Sequence, residues 1–166
     1  MTQDSALQHF EALTAALQAE QIAYQTLHAL LREEQAALST GDADGLMALA
    51  QRKSAQVAHL AQLAEARNRQ LVNLTGQPDQ AGIAAWCDRF DPADRSGVRR
   101  LWHALLEVAR AARALNEENG ALIQARLQHN QQALAVLHGA AQDVAHAYGP
   151  DGQPCPGPAG RPLGKA

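Results

Sequence analysis

Large apolar residues return every seven positions in the first part of the chain, at Phe10, Leu17, Tyr24, Leu31 and Leu38, with Leu13 and Leu27 three residues after two of them. This spacing draws one stripe on a helix and predicts a helix from about Asp4 or Ser5 to Ser39. Glu20 and Glu34 fall at the intermediate positions of the same stripe, so the seam suits a broad bundle interface better than a tight two-stranded rod. Ser39-Thr-Gly-Asp-Ala-Asp-Gly45 then supplies two glycines able to take positive φ and two aspartates able to cap a following helix. A reversal is expected there. Leu46, Leu49, Val57, Leu60, Leu63, Leu71 and Leu74 continue the helical period to Thr75-Gly76-Gln77-Pro78, where glycine and proline terminate it. The two helices should pair as an antiparallel hairpin, each about 50 Å long at about 1.5 Å per residue.

Residues 77–97 place Ile83, Trp86 and Phe90 between two prolines and two glycines, which predicts a short helix and turns folding a few aromatics over the bundle. Asp91-Pro92 reads as a cap followed by proline in a first turn. From Val98 the period resumes through Leu101, Leu105, Val108, Leu115, Leu122, Leu134 and Leu137, predicting a long helix that ends near Tyr148. Gly120 and Gly139 lie within it and each costs about 1 kcal/mol relative to Ala, so close approach or bending is expected at them. Residues 149–166 hold five prolines and five glycines with almost nothing to bury, and are expected to be disordered. The fold class is therefore all-α: an elongated antiparallel bundle or coiled coil of three long helices with a short helical insertion, as a helical domain over 1–148 and a tail over 149–166.

Composition supports this picture and narrows it. The apolar share of the 166 residues is largely Ala, with only two each of Phe, Trp and Tyr, which suits closely packed helices rather than a thick core. The net charge of −3 gives no footprint for nucleic acid or an anionic membrane. Its distribution is uneven, since acidic residues dominate 1–40 and Arg95, Arg99, Arg100, Arg110 and Arg113 face only Glu107 over 95–113. These two segments are expected to complement each other across the bundle. Cys87 and Cys155 lie far apart without metal-ligand spacing and are expected as reduced thiols. The first residues lack a basic start and an apolar run, and no stretch of about 18 apolar residues could span a bilayer, so the expected location is the cytoplasm, with no membrane insertion.

Chemistry finds little support. A bundle metal site would use Glu-x-x-His pairs from two helices, whereas Asp143-x-x-His146 is the nearest approach here. Neither cysteine has an identifiable His and acidic partner, and no GxxxxGK[ST] or GxGxxG loop occurs. No catalytic residue, cofactor or metal is expected. Arg95-Ser-Gly-Val-Arg99-Arg100 is short, lacks interleaved aromatics and reads as a solvated or bundle-pairing face.

Residues 115–137 read LNEENGALIQARLQHNQQALAVL, and after a short interval Tyr148 begins YGPDGQ. These two elements, in this order, resemble the LNxxNG, apolar pair, NQQAL and YGxDGQ pattern of the FlgN family of flagellar export chaperones. Leu30, Leu31, Glu33, Leu38, Asp42, Leu46, Leu49 and Lys53 match the family's first hairpin more loosely. The resemblance implies a cytoplasmic chaperone that binds the hook-associated proteins of the hook-filament junction, keeps them monomeric and passes them to the membrane-embedded export gate without covalent chemistry.

On that reading, the client-binding candidates are Leu115, Asn119, Leu122, Ile123, Leu127, Leu134 and Leu137. Leu115, Leu122 and Val136 follow one heptad phase, and the others widen the apolar surface beyond what one partner helix requires. The same residues can equally pack against the first hairpin. Asn116, Asn119 and Asn130 could set helix register by polar pairing or stay solvated. Tyr148, by the resemblance, docks at the cytoplasmic part of the export gate; its ring can equally fold back to close the helix end. A stripe open to a client is also open to another copy, so a homodimer is a further candidate. A structural or adaptor coiled coil with an unrelated partner is the alternative function.

Overall fold

In a computed structural model, the chain is helical as expected. The structure describes residues 3–93 and 95–147, with side chains from 8–93 and 95–139. Four helices follow in order: α1 (Gln3–Thr40), α2 (Ala43–Thr75), α3 (Asp79–Phe90) and α4 (Val98–Ala147). The chain forms two compact units, Met1–Leu122 and Ile123–Ala166. Residues 98–122 of α4 belong to the first and 123–147 to the second. The expected tail over 149–166 lies outside the described residues.

Local signals act where the sequence places them. Gly41 takes φ 79° after α1, and the Asp42 carboxylate caps α2 by accepting from the Gly45 backbone N–H at 2.9 Å. Gly76 ends α2 in the left-handed region at φ 77°, its N–H donating to the Val72 carbonyl. Gly82 is required for a different reason: a Cβ there would collide with the Gln77 carbonyl oxygen as α3 turns back onto Leu71. Asp91-Pro92 departs from expectation. Asp91 lies at the C-terminal cap of α3, and its carboxylate accepts from the Ser96 hydroxyl and from the Ser96 and Arg95 N–H groups, each of the latter at 2.9 Å. The side chain therefore organises the connector, and α4 begins only at Val98. Those hydrogen bonds, led by the Ser96 hydroxyl, hold the Asp91 carboxyl below its ordinary value.

The pairing of α1 with α2 is antiparallel. Glu33 meets Arg52, Glu34 meets Lys53 and Glu20 meets Arg67, so rising numbers on α2 match falling numbers on α1. In α4, Trp102 lies over Arg67 and Asn119 reaches Leu31 and Glu34, so α4 runs parallel to α1. One end of the first unit holds the main core: Leu13 and Leu17 from α1, Leu71 from α2, Ile83, Trp86 and Cys87 from α3, and Val98, Trp102 and Leu105 from α4. The aromatics of the short insertion close this end, with Trp86 stacked on Phe10 at 6.2 Å and tilted against Phe90 at 5.7 Å.

The two glutamates on the α1 stripe are buried, and each anchors a tie between three helices. Glu20 lies 3.3 Å from Arg67 Nε of α2, and the same guanidinium sits 4.9 Å over the Trp102 ring of α4. Two heptads further along α1, Glu34 receives Lys53 Nζ of α2 at 2.6 Å and Asn119 Nδ2 of α4 at 2.9 Å. The Asn119 amide also donates to the Leu31 carbonyl at 2.8 Å. Partnered polar groups inside a helical seam penalise any shift in register, because sliding would leave charges buried without partners.

Among the described residues, the ion pairs of α1 and of 95–113 run otherwise than the expected pairing of these two segments with each other. Glu20, Glu33 and Glu34 pair with Arg67, Arg52 and Lys53 of α2, while Arg99 pairs with Asp88, Arg110 with Glu107 and Arg113 with Glu117. The antiparallel hairpin brings α2 cations to the buried glutamates, whereas the exposed Arg110 and Arg113 find carboxylates one turn away on α4 itself and Arg99 finds Asp88 of α3.

Candidate functional site

Residues 98–122 of α4 are anchored by buried side chains, Trp102, Leu105, Ala112 and Asn119 among them. Leu115 is half-buried and Leu122 is exposed in this unit. Asn119 departs from its expected place on a client surface, being only 1% exposed and engaged with Leu31 and Glu34. It serves the second of the three-helix ties. Leu115, four residues before it, and Leu122, three after it, lie on the same side of α4 and are less buried.

Residues 123–139 differ in kind. Ile123 is half-buried and every other side chain in this stretch is exposed. Leu127 is 48% exposed, Leu134 55%, Leu137 65% and Val136 71%. Good helix formers fill the stretch, which explains why it holds α-helical geometry while burying so little. Ile123, Leu127, Asn130, Leu134 and Leu137 follow one another at alternating intervals of four and three, which sets them along one side of the helix. Asn130 is the polar member of that seam and is exposed. From Leu127 to Gln142 there is no Asp, Glu, Lys or Arg, so the stripe is flanked by Gln, Ala and His rather than by fixed charge. From Leu127 onward, large apolar side chains at this spacing, exposed and without fixed charge beside them, form a surface suited to an amphipathic partner helix.

Gly120 and Gly139 were expected to permit close approach or bending, yet a Cβ at either would meet nothing within 4 Å. No neighbour in the structure requires glycine there. Tyr148 lies outside the described residues. Among the described residues no group of three or more His, Cys, Asp or Glu side chains is placed to hold a metal ion, and no helix is long and apolar enough to cross a membrane. The two three-helix ties were legible only as interruptions of the α1 seam; the signal that could have located them is the recurrence of Glu at 20 and 34 with Arg67 and Lys53 in antiparallel register.

The described residues form a helical bundle whose last helix carries an apolar stripe that is exposed from Leu127 to Leu137. Comparison with known proteins makes the assignment specific: the FlgN protein family model matches residues 1–155, and the chain belongs to that family. Two curated relatives, from Yersinia enterocolitica and from a serotype O:8 strain of it, are named flagella synthesis protein FlgN. Each is 32% identical over 130 residues, covering 77% of this chain and 79% of the relative. No solved structure matches the chain.

Proposed function

We propose that this protein is a flagellar export chaperone that binds terminal segments of the hook-associated proteins of the hook-filament junction, prevents their premature assembly and delivers them to the export gate. Membership of the FlgN family and relatives named for flagella synthesis support the flagellar role. The observation that carries the binding role is the exposed stripe of Leu127, Leu134 and Leu137, with half-buried Ile123 at its start. A client segment that becomes helical would lay its own apolar face along these anchors, covering surface that both chains otherwise expose to water. Leu122, and Leu115 through its exposed portion, extend the candidate contact set, whereas Asn119 is engaged within the first unit. Release then requires no bond chemistry, since the contact is a reversible exchange of apolar surface. Tyr148 is assigned the gate-docking role, and the cytoplasm is the place of action.

Calorimetric titration with C-terminal segments of the two junction hook-associated proteins tests the reading. One saturable site is expected, with affinity falling about tenfold or more for Leu127→Ala combined with Leu134→Ala. Both positions are exposed, so the variant should stay folded, and unchanged affinity would remove the stripe from the site. A stable homodimer that binds neither segment nor either full-length subunit would favour the adaptor coiled coil instead.

A further inference from the structure

The first unit contains an open groove of about 430 Å³ between α1, α2 and α4. Its apolar lining includes Tyr24, Leu27 and Leu31 of α1, Val57 of α2, and Leu106 and Ala109 of α4. Val57 is 51% exposed, and Tyr24, Leu27 and Leu106 are half-buried, so large apolar side chains face space that no helix fills. The groove exists because α4 presents small residues, Ala109 and Ala112, opposite Tyr24, Leu27 and Leu31 of α1 and Val57 of α2. It is held open from both ends. The Glu20–Arg67–Trp102 tie lies before it on α1, and the Glu34–Lys53–Asn119 tie lies after it, each drawing on all three helices. Collapse of the groove would have to displace these buried polar groups, which is costly.

Shape and charge specify the occupant. Along α4 the lining runs from Leu106 to Asn116, which corresponds to about 15 Å of helix, and along α1 from Tyr24 to Leu31. A trough of this length accepts apolar side chains spaced by three, four and seven residues on a helix. Among the described residues three cations line it, Lys53, Arg110 and Arg113, and no carboxylate does. Lys53, itself partly buried, is committed to the buried Glu34. Among the described residues Arg110 and Arg113 pair with exposed carboxylates of their own helix, Glu107 and Glu117, and such surface pairs exchange readily for another acid.

We propose that this groove is a second docking site, taking an amphipathic helical segment of a partner protein that carries leucine- or phenylalanine-class anchors with carboxylates beside them. The groove lies within the first unit and does not rest on the chaperone reading. It is tested on the full chain by fluorescence anisotropy with a labelled synthetic helix of about 16 residues, with leucines at i, i+3, i+4 and i+7 and glutamates flanking them. The control peptide has lysines in place of the glutamates. The acidic peptide is expected to bind and the basic one to bind at least about tenfold more weakly. Ala109→Phe, which fills the trough, should abolish binding, and Arg110→Glu with Arg113→Glu should reverse the preference between the peptides. Should Ala109→Phe fail to fold, Val57→Glu at an exposed position places a carboxylate in the same trough and should weaken the acidic peptide. Leu134→Ala should leave this binding unchanged. No binding, equal binding of the two peptides, indifference of folded Ala109→Phe or Val57→Glu, an unreversed preference, or loss on Leu134→Ala would each overturn the proposal.

Discussion

Residues 98–122 and 123–139 belong to one helix and carry similar supplies of large apolar side chains, yet they meet different surroundings. The earlier stretch buries Trp102, Leu105 and Ala112 and fastens Asn119 to α1, whereas the later stretch buries none of its side chains. Helical periodicity reports that a stripe exists; it carries no information on what covers it. Stability should therefore reside in the first stretch and its ties, and binding in surface left uncovered.

The largest effect that would break this contrast lies in the Glu20–Arg67 contact, where both side chains are almost wholly buried. Arg67→Met should cost about 3–5 kcal/mol in urea unfolding, because it leaves the Glu20 carboxylate buried without its counter-charge. Adding Glu20→Leu should restore most of that loss. A double variant no more stable than the single one would show that the pair is not what fastens this part of the bundle.

The two asparagines of α4 sharpen the contrast directly. Asn119→Ala should cost about 1–3 kcal/mol, since the Leu31 carbonyl and the Glu34 carboxylate lose a buried donor. Asn130→Ala, in the exposed stretch, should change stability by less than about 0.5 kcal/mol. Equal costs measured in the same denaturant series would mean that the two stretches do not divide the labour as described.

The smallest effect is one of pH. Burial pushes the Glu20 carboxyl above its ordinary value of 4.5; Arg67 opposes the rise and Asp79 adds to it. The folded state thus holds the Glu20 proton more tightly than the unfolded chain. Its contribution is full below the unfolded value and is lost as pH rises through the raised folded value. The melting temperature of the wild type minus that of Glu20→Gln should therefore fall as pH increases from about 4 to about 7. A difference that stays flat or grows would contradict the direction of the shift.

Much of the fold was legible in the sequence because the deciding forces are local. Heptad leucines, Asp42 as a cap, Gly76 as a stop and the resumption at Val98 each act within a few residues of themselves. Asp91 was misread because two roles share one local signature: an Asp before Pro can begin a helix or, as here, fold back on Ser96. Of the candidate site, the residues of the 123–137 stripe were legible from spacing, but their exposure was not, and the burial of Asn119 ran against the expectation.

The sequence by itself determined the helices, their apolar faces, the reversal at Gly41 and the elements that mark the family. Tertiary structure alone decided that Glu20 and Glu34 are ties instead of interruptions, that cations of α2 meet Glu20, Glu33 and Glu34 of α1, and that alanines on α4 leave a groove. The physical reason is that periodicity is a property of one segment, whereas counter-charges, cavities and coverage depend on which segments meet and in what register.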